Sequence, residues 1–176
     1  MTTEFLPFSK PDISEQEIAA VTDILRSGWI TTGRQCADFE TEFSSYCQNR
    51  QEIHSVALSS ATAGMHLLLQ ALDIGEGDEV ITPSLTWVST VNLIVLAGAT
   101  PVFADIDRES LMVTRETVAP CISRRTRLIL PVHFAGAALD LTPLRQLAAE
   151  YNIALVEDAA HAVGTEYYGE KIGSSG

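Results

Sequence analysis

Three short segments hold the side chains most able to do chemistry, and each follows a short apolar run. The first is Ser59-Ser60-Ala61-Thr62-Ala63-Gly64, after SVALS, where small residues lead straight into a stretch of helical length. A helix N-terminus with free N–H groups, small side chains and a Thr hydroxyl can bind an anion such as phosphate; the same residues can equally be an ordinary Ser/Thr cap. The second is Ser84-Leu85-Thr86-Trp87, after EVITP, whose Trp87 can offer a flat face to an aromatic ligand or simply pack in a core. The third is Asp158-Ala159-Ala160-His161, after IALVE. An acid at the end of a buried strand is costly unless paired with a cation or with donors. Asp158 is therefore either a local cap or a carboxylate held against a protonated ring nitrogen, with His161 reaching a neighbouring oxygen. His133, after RLILPV, is either a ligand contact or a satisfied structural histidine, and His54 and His66 read as structural.

Each signal is weak alone. Together, a phosphate-binding helix end, a stacking aromatic and an acid for a pyridinium nitrogen are the parts of a pyridoxal phosphate (PLP) site. There the acid keeps the ring nitrogen protonated, so that the ring accepts electrons when a bond at the substrate carbon breaks. No GxGxxG and no GxxxxGK[ST] occurs, so dinucleotide and Walker-type readings lack their usual support.

The elements that must position these residues are legible from their rhythm. Ser14-Glu-Gln-Glu17 reads as a capping box opening a helix with Ile18, Val21, Ile24 and Leu25 on one face, and Gly28 as its stop. A second helical pattern follows Gly33, with Phe39, Phe43, Tyr46 and Cys47 on its apolar side. From His54 onward the runs SVALS, EVITP, TPVFAD, RLILPVH and IALVED alternate with helical stretches. Strands interleaved with helices predict an α/β fold with a mostly parallel, doubly wound sheet, and continuous apolar strands suit burial on both faces. Such sheets bind ligands beyond the carboxyl ends of their strands, where the three segments fall.

Composition excludes other classes. The 176 residues carry a formal charge of −12, against a polyanion partner, so no nucleic acid is expected. With 46% apolar and 19% charged residues the chain is not of the disordered type. No run approaches the ~18 apolar residues of a membrane span, and the start lacks a secretory pattern, so a cytoplasmic protein is expected. Cys36, Cys47 and Cys121 suit neither a disulfide framework nor a zinc site.

The words FLPFS at the start, SGWITTG at 27–33, SSATAGMH at 59–66, GDEVITPSLTWVST at 77–90, GATPVFADID at 98–107, PVHFAG at 131–136 and VEDAAHAVGT at 156–165 occur in order. On these, the chain resembles the sugar aminotransferases of the DegT/DnrJ/EryC1/StrS family over its whole length. The resemblance implies an aspartate-aminotransferase-like fold (PLP fold type I), with residues 1–50 as an N-terminal helical arm and 51–176 as an incomplete PLP-binding large domain. It places Ala61, Thr62 and Ala63 in the phosphate loop, Trp87 on the pyridine ring and Asp158 at its nitrogen. His161 stands where many relatives carry Gln, near the phenolic oxygen. The implied reaction is transamination: glutamate, leaving as 2-oxoglutarate, gives its amino group to the cofactor, and a UDP-4-keto-pentose accepts it in lipid A modification. Full-length members are expected to be homodimers.

No catalytic residue is assigned. Lys10 and Lys171 are the two lysines; the first lies in the arm and the second in the YYGEKIG turn. The lysine that the family links to the cofactor, which also shuttles the proton, is expected beyond Gly176. The chain thus corresponds to the N-terminal half. An inactive or partner-binding remnant, or a PLP-dependent sugar dehydratase of the same family, remains an alternative. The resemblance also places two later strands between Val56–Leu58 and the RLILPVH strand. A four-strand sheet over 78–158 is therefore expected, with Val56–Leu58 detached or oddly paired and RLILPVH as a bare apolar edge. Such an edge recruits other chains, so the isolated chain is expected to aggregate or to be molten.

Overall fold

The computed structural model describes residues 5, 7, 9–48 and 52–174. The FLPFS word is thus covered only in part, and the expected domain boundary at 50/51 lies outside the described residues. The elements, in chain order, are α1 (Glu15–Ser27), α2 (Arg34–Cys47), α3 (Ala61–Ala71), β1 (Glu79–Pro83), α4 (Val88–Leu96), β2 (Thr100–Ala104), α5 (Arg115–Val118), β3 (Thr126–Ile129), α6 (Thr142–Tyr151), β4 (Ala154–Leu155), β5 (Glu166–Tyr167) and β6 (Glu170–Lys171). Short 3₁₀ turns occupy Ala119–Cys121 and Phe134–Gly136. The chain forms two compact units, residues 1–39 and 40–176.

In the first unit, α1 is delimited as its sequence demands. The Ser14 hydroxyl accepts from the Gln16 N–H at 3.2 Å, the Glu17 carboxylate accepts the Ser14 N–H at 2.6 Å, and Gly28 ends the helix at φ 75°. Its apolar face is not buried in this chain: Ile18, Val21 and Leu25 are all exposed.

The second unit is built on a parallel sheet of order β2-β1-β3-β4. Consecutive residues of a strand face opposite sides. Val80, Leu128 and Leu130 therefore pack with Met65 and Leu69 of α3 and Leu93 and Ile94 of α4. Ile81 and Ile129 turn the other way, onto Val118 of α5 and Leu144, Leu147 and Ala148 of α6. Two apolar layers on one sheet are the doubly wound arrangement. At the far end of β1, buried Glu79 accepts from Arg125 and from the Ser123 hydroxyl, tying the start of β1 to the turn before β3.

Three expectations need correction. SVALS forms no strand: residues 52–58 pair with nothing in the sheet, and Val56 and Leu58 are exposed. A run that reads as a buried strand becomes one only beside a partner strand, and none of the described strands flanks it. This is the detachment expected for Val56–Leu58, beside the expected four-strand sheet. RLILPVH, however, is not the edge. Its β3 lies between β1 and β4, so the bare side belongs to β4, the strand that leads to Asp158. Burial on both faces holds for β1, whose residues are all buried, but not for β2, an edge strand with Thr100 and Phe103 exposed.

The turn after β2 is held by one carboxylate. Asp107 accepts from the Glu109 and Ser110 N–H groups at 3.1 and 2.8 Å and from the Ser110 hydroxyl at 2.9 Å. These donors, the Ser110 N–H foremost, hold its carboxyl below the ordinary range. The folded-state pKa lies below the unfolded one, so this stabilisation is complete above the ordinary Asp value and is lost as pH falls through the depressed one. Acidifying below about pH 4 should therefore lower the urea midpoint of the wild type more steeply than that of Asp107→Asn. Equal slopes would contradict this.

Candidate active site

Three chain segments converge where β1 and β4 end. The first is the start of α3. Ser60 caps it, its hydroxyl accepting the Ala63 N–H at 3.1 Å and its carbonyl the Gly64 N–H at 3.1 Å. First-turn N–H groups have no partner within their own helix, so those of Ala61 and Thr62 point out of the helix end. Ala61, Ala63 and Gly64 leave the approach uncrowded.

The second is the start of α4, where Trp87 holds the N-cap position with extended φ/ψ. Its indole is 74% exposed, which rules out the core role that a lone Trp usually has. Just before it, the Thr86 hydroxyl is buried without a hydrogen-bond partner. Two side chains of the first turn of α4 join the segments: Ser89 Oγ lies 3.3 Å from Thr62 Oγ1, and buried Thr90 Oγ1 donates to Asp158 Oδ2 at 3.3 Å.

The third is the strand end carrying Asp158. The ladder continues past β4: the Val156 N–H donates to the Ile129 carbonyl at 3.1 Å, the Asp158 N–H to that of Pro131 at 2.9 Å, and the His133 N–H to that of Asp158 at 3.0 Å. The half-buried carboxylate also accepts the Ala160 N–H at Oδ1, 3.2 Å away. The cap reading of Asp158 holds: its carboxylate accepts within its own turn, and the Thr90 hydroxyl steadies it at the mouth of the strands.

Thr62, Trp87 and Asp158 are thus gathered at one place, with Ala61 and Ala63 on the helix end beside Thr62. His161 is not joined to them. Its ring is exposed and makes no hydrogen bond among the described residues. Only its backbone is fixed, against Gly136, where an added Cβ would lie 2.5 Å from the His161 carbonyl oxygen. His133 proves structural, its ring buried and engaged at both nitrogens. His54 is exposed and His66 pairs with Gln70 one turn along α3.

Sequence reading did not single out Ser89, Thr90 or Gly136. Thr90 was discoverable: three residues after Trp87 at a helix start, it shares the Trp87 side of the first turn. Gly136 and Ser89 carried no local signal, because their partners come from distant segments. A separate concavity of about 400 Å³, on the α5 and α6 side, is lined by Met112, Arg115, Asp140 and Tyr167 among others and includes none of the expected site residues. Its facing acid and base side chains favour no single ligand charge. No group of His, Cys, Asp and Glu that could hold a metal occurs among the described residues, and no described helix is long and apolar enough to cross a membrane.

Sheet order, covering helices and a polar cluster at the carboxyl ends of the strands define an α/β protein of the aspartate-aminotransferase type. The chain belongs to the DegT/DnrJ/EryC1/StrS aminotransferase family, whose sequence pattern matches residues 11–176. Among solved structures it is similar to Spr1654 of Streptococcus pneumoniae in its PLP-form, assigned as a sugar aminotransferase, with 38% identity over 96% of this chain and 46% of that one and a TM-score of 0.89. DesV of S. venezuelae matches at 37% identity over 92% of this chain and 43% of its own, TM-score 0.86. NtdA of Bacillus subtilis, with bound cofactor PMP (pyridoxamine phosphate), matches at 31% over 85% and 34%, TM-score 0.80. The chain spans less than half the length of each.

Proposed function

We propose that this chain forms the PLP-binding face of a nucleotide-sugar aminotransferase. Glutamate would donate the amino group and a UDP-4-keto-pentose accept it, giving UDP-4-amino-4-deoxy-L-arabinose for lipid A modification. The observation that carries the reading is the pair of contacts Thr62–Ser89 and Thr90–Asp158. They gather an open helix N-terminus, an exposed indole and a carboxylate at one end of the sheet.

The residues fit the cofactor. The α3 end offers two unpaired N–H donors among small side chains, suited to a phosphate. The Trp87 face is free to cover a ring, and the buried Thr86 hydroxyl lacks a partner. When bound, PLP supplies the electron sink for the bond broken at the amino-bearing carbon. Around it, Thr62 would hold the phosphate through its N–H and hydroxyl, Trp87 would stack, and Asp158 would face the ring nitrogen with Thr90 fixing its direction. His161 is assigned the neighbourhood of the phenolic oxygen, which requires its exposed ring to turn inward. The pentose and the lipid A role rest on the likeness of GDEVITPSLTWVST and VEDAAHAVGT to that branch of the family.

Lys171 is not the cofactor-linking lysine in this reading. Its Nζ stands 3.2 Å from the centroid of the Tyr46 ring, a cation–π contact. The linking lysine is assigned to sequence following Gly176. Exposed Leu67 and Leu68 of α3 and Val88, Val95 and Leu96 of α4 supply the apolar surface that a homodimer would bury.

Affinity of the full-length protein for PLP tests the site. Thr62→Val keeps the N–H and removes the hydroxyl, so it should cost about 1.5–3 kcal/mol, the scale of a hydrogen bond to a charged group. Thr62→Pro removes the N–H as well and should cost clearly more. Equal, small losses from both would leave α3 an ordinary capped helix.

A further inference from the structure

The His133 ring reports its own protonation. Its Nδ1 lies 3.0 Å from the Leu139 backbone nitrogen, which can only donate, so Nδ1 carries no proton. The neutral ring then bears its proton on Nε2, which stands 3.1 Å from Glu157 Oε2 and donates to it. The other oxygen of Glu157 accepts from Arg145 of α6 at 3.0 Å. His133 is 1% exposed, so nothing in solvent competes for either contact.

Glu157 and Asp158 are neighbours on one extended segment, so their side chains leave it on opposite faces. Glu157 turns toward Arg145 on α6, and Asp158 toward Thr90 on α4. His133 holds both. Its ring grips the Glu157 carboxylate and its backbone N–H grips the Asp158 carbonyl. Fixing Glu157 on one face therefore fixes the rotation of the strand end, and with it the direction in which Asp158 points on the other. Beyond β4 no further described strand supports this segment, which leaves the β3 side as its main restraint.

We propose that His133, as the Nε2-protonated neutral tautomer, is a positioning residue that acts through Glu157 to aim Asp158 at its ligand. The proposal rests on the reading of Asp158 as the partner of the PLP ring nitrogen. Two substitutions separate the ring's contacts. His133→Gln can place an amide N–H near Nε2 and keep the bond to Glu157 while losing Leu139. His133→Asn can place an oxygen near Nδ1 and keep Leu139 while losing Glu157.

The test is a double-mutant cycle on the PLP dissociation constant of the full-length protein, with thermal melting recorded for every variant. His133→Gln should stay within about threefold of wild type, and His133→Asn should bind about tenfold more weakly, the scale of one charge-assisted hydrogen bond. In an Asp158→Asn background, His133→Asn should add less than about twofold, because its effect runs through Asp158. Glu157→Gln provides the same comparison should His133→Asn fold poorly. Equal losses from the Asn and Gln variants, or an undiminished loss in the Asp158→Asn background, would overturn the positioning role alone. Unchanged affinity in Asp158→Asn itself would overturn the reading of Asp158, and this proposal with it.

Discussion

Replacing Asp158 by alanine is expected to cut amino-group transfer by the full-length protein at least ~100-fold, the scale of removing one preorganised electrostatic group. The carboxylate is built into its place by three restraints: the strand ladder through Pro131 and His133, the Ala160 N–H at one oxygen and the Thr90 hydroxyl at the other. The alanine variant loses the two contacts made by the carboxylate but keeps the backbone ladder, so the fold should survive while the ring nitrogen loses its partner. Asp158→Asn is the sharper control, because it keeps the shape and removes only the charge. Steady-state rates with saturating glutamate would check this. Turnover within severalfold of wild type in both variants would remove Asp158 from the site while leaving the family assignment untouched.

Gly136→Val is expected to destabilise the protein by about 2–5 kcal/mol, combining left-handed backbone strain with overpacking. Gly136 has φ 83°, and an added Cβ would lie 2.5 Å from the His161 carbonyl oxygen, a backbone atom that cannot swing aside. Its own carbonyl accepts the Thr165 hydroxyl at 2.7 Å, so the loop is held from both directions. Relief of the clash must push the 158–161 turn away from the 133–136 turn, which would also weaken PLP binding. Gly169 is the control: φ is 78° but nothing lies within 4 Å of an added Cβ, so Gly169→Val meets strain without collision. Chemical denaturation of the two variants should separate by more than ~1 kcal/mol, the scale of the overpacking alone. Equal losses would mean that the two turns are not in firm contact.

What was legible in the sequence was local. The capping box at Ser14 and Glu17, the Gly28 stop, the Ser60 cap and the alternation of strands with helices follow from short-range stereochemistry that a single chain states about itself. The YYGEKIG turn is of the same kind, with positive φ at Tyr168 and Gly169, whereas the two strands β5 and β6 that flank it were not read. What failed depended on neighbours. SVALS has strand composition but no strand beside it, and the interior place of β3 follows from packing order, which no periodicity within RLILPVH encodes. The site divides the same way. Thr62, Trp87 and Asp158 were visible because each ends or begins an element, whereas Thr90 and Gly136 matter only through partners 68 and roughly two dozen residues away in the chain. The two readings of His133 were undecidable until Leu139 and Glu157 were seen at its two nitrogens.

The central claim, that the α3 end, Trp87 and Asp158 form one ligand site, is tested most directly by following amide and indole NMR signals of the full-length protein during a PLP titration. The account predicts saturable shifts at the Ala61 and Thr62 amides, at the Trp87 indole N–H and around Asp158, all with one dissociation constant. Shifts confined to the separate cavity around Met112, Arg115, Asp140 and Tyr167, or no saturable shift at α3 and Trp87, would contradict it.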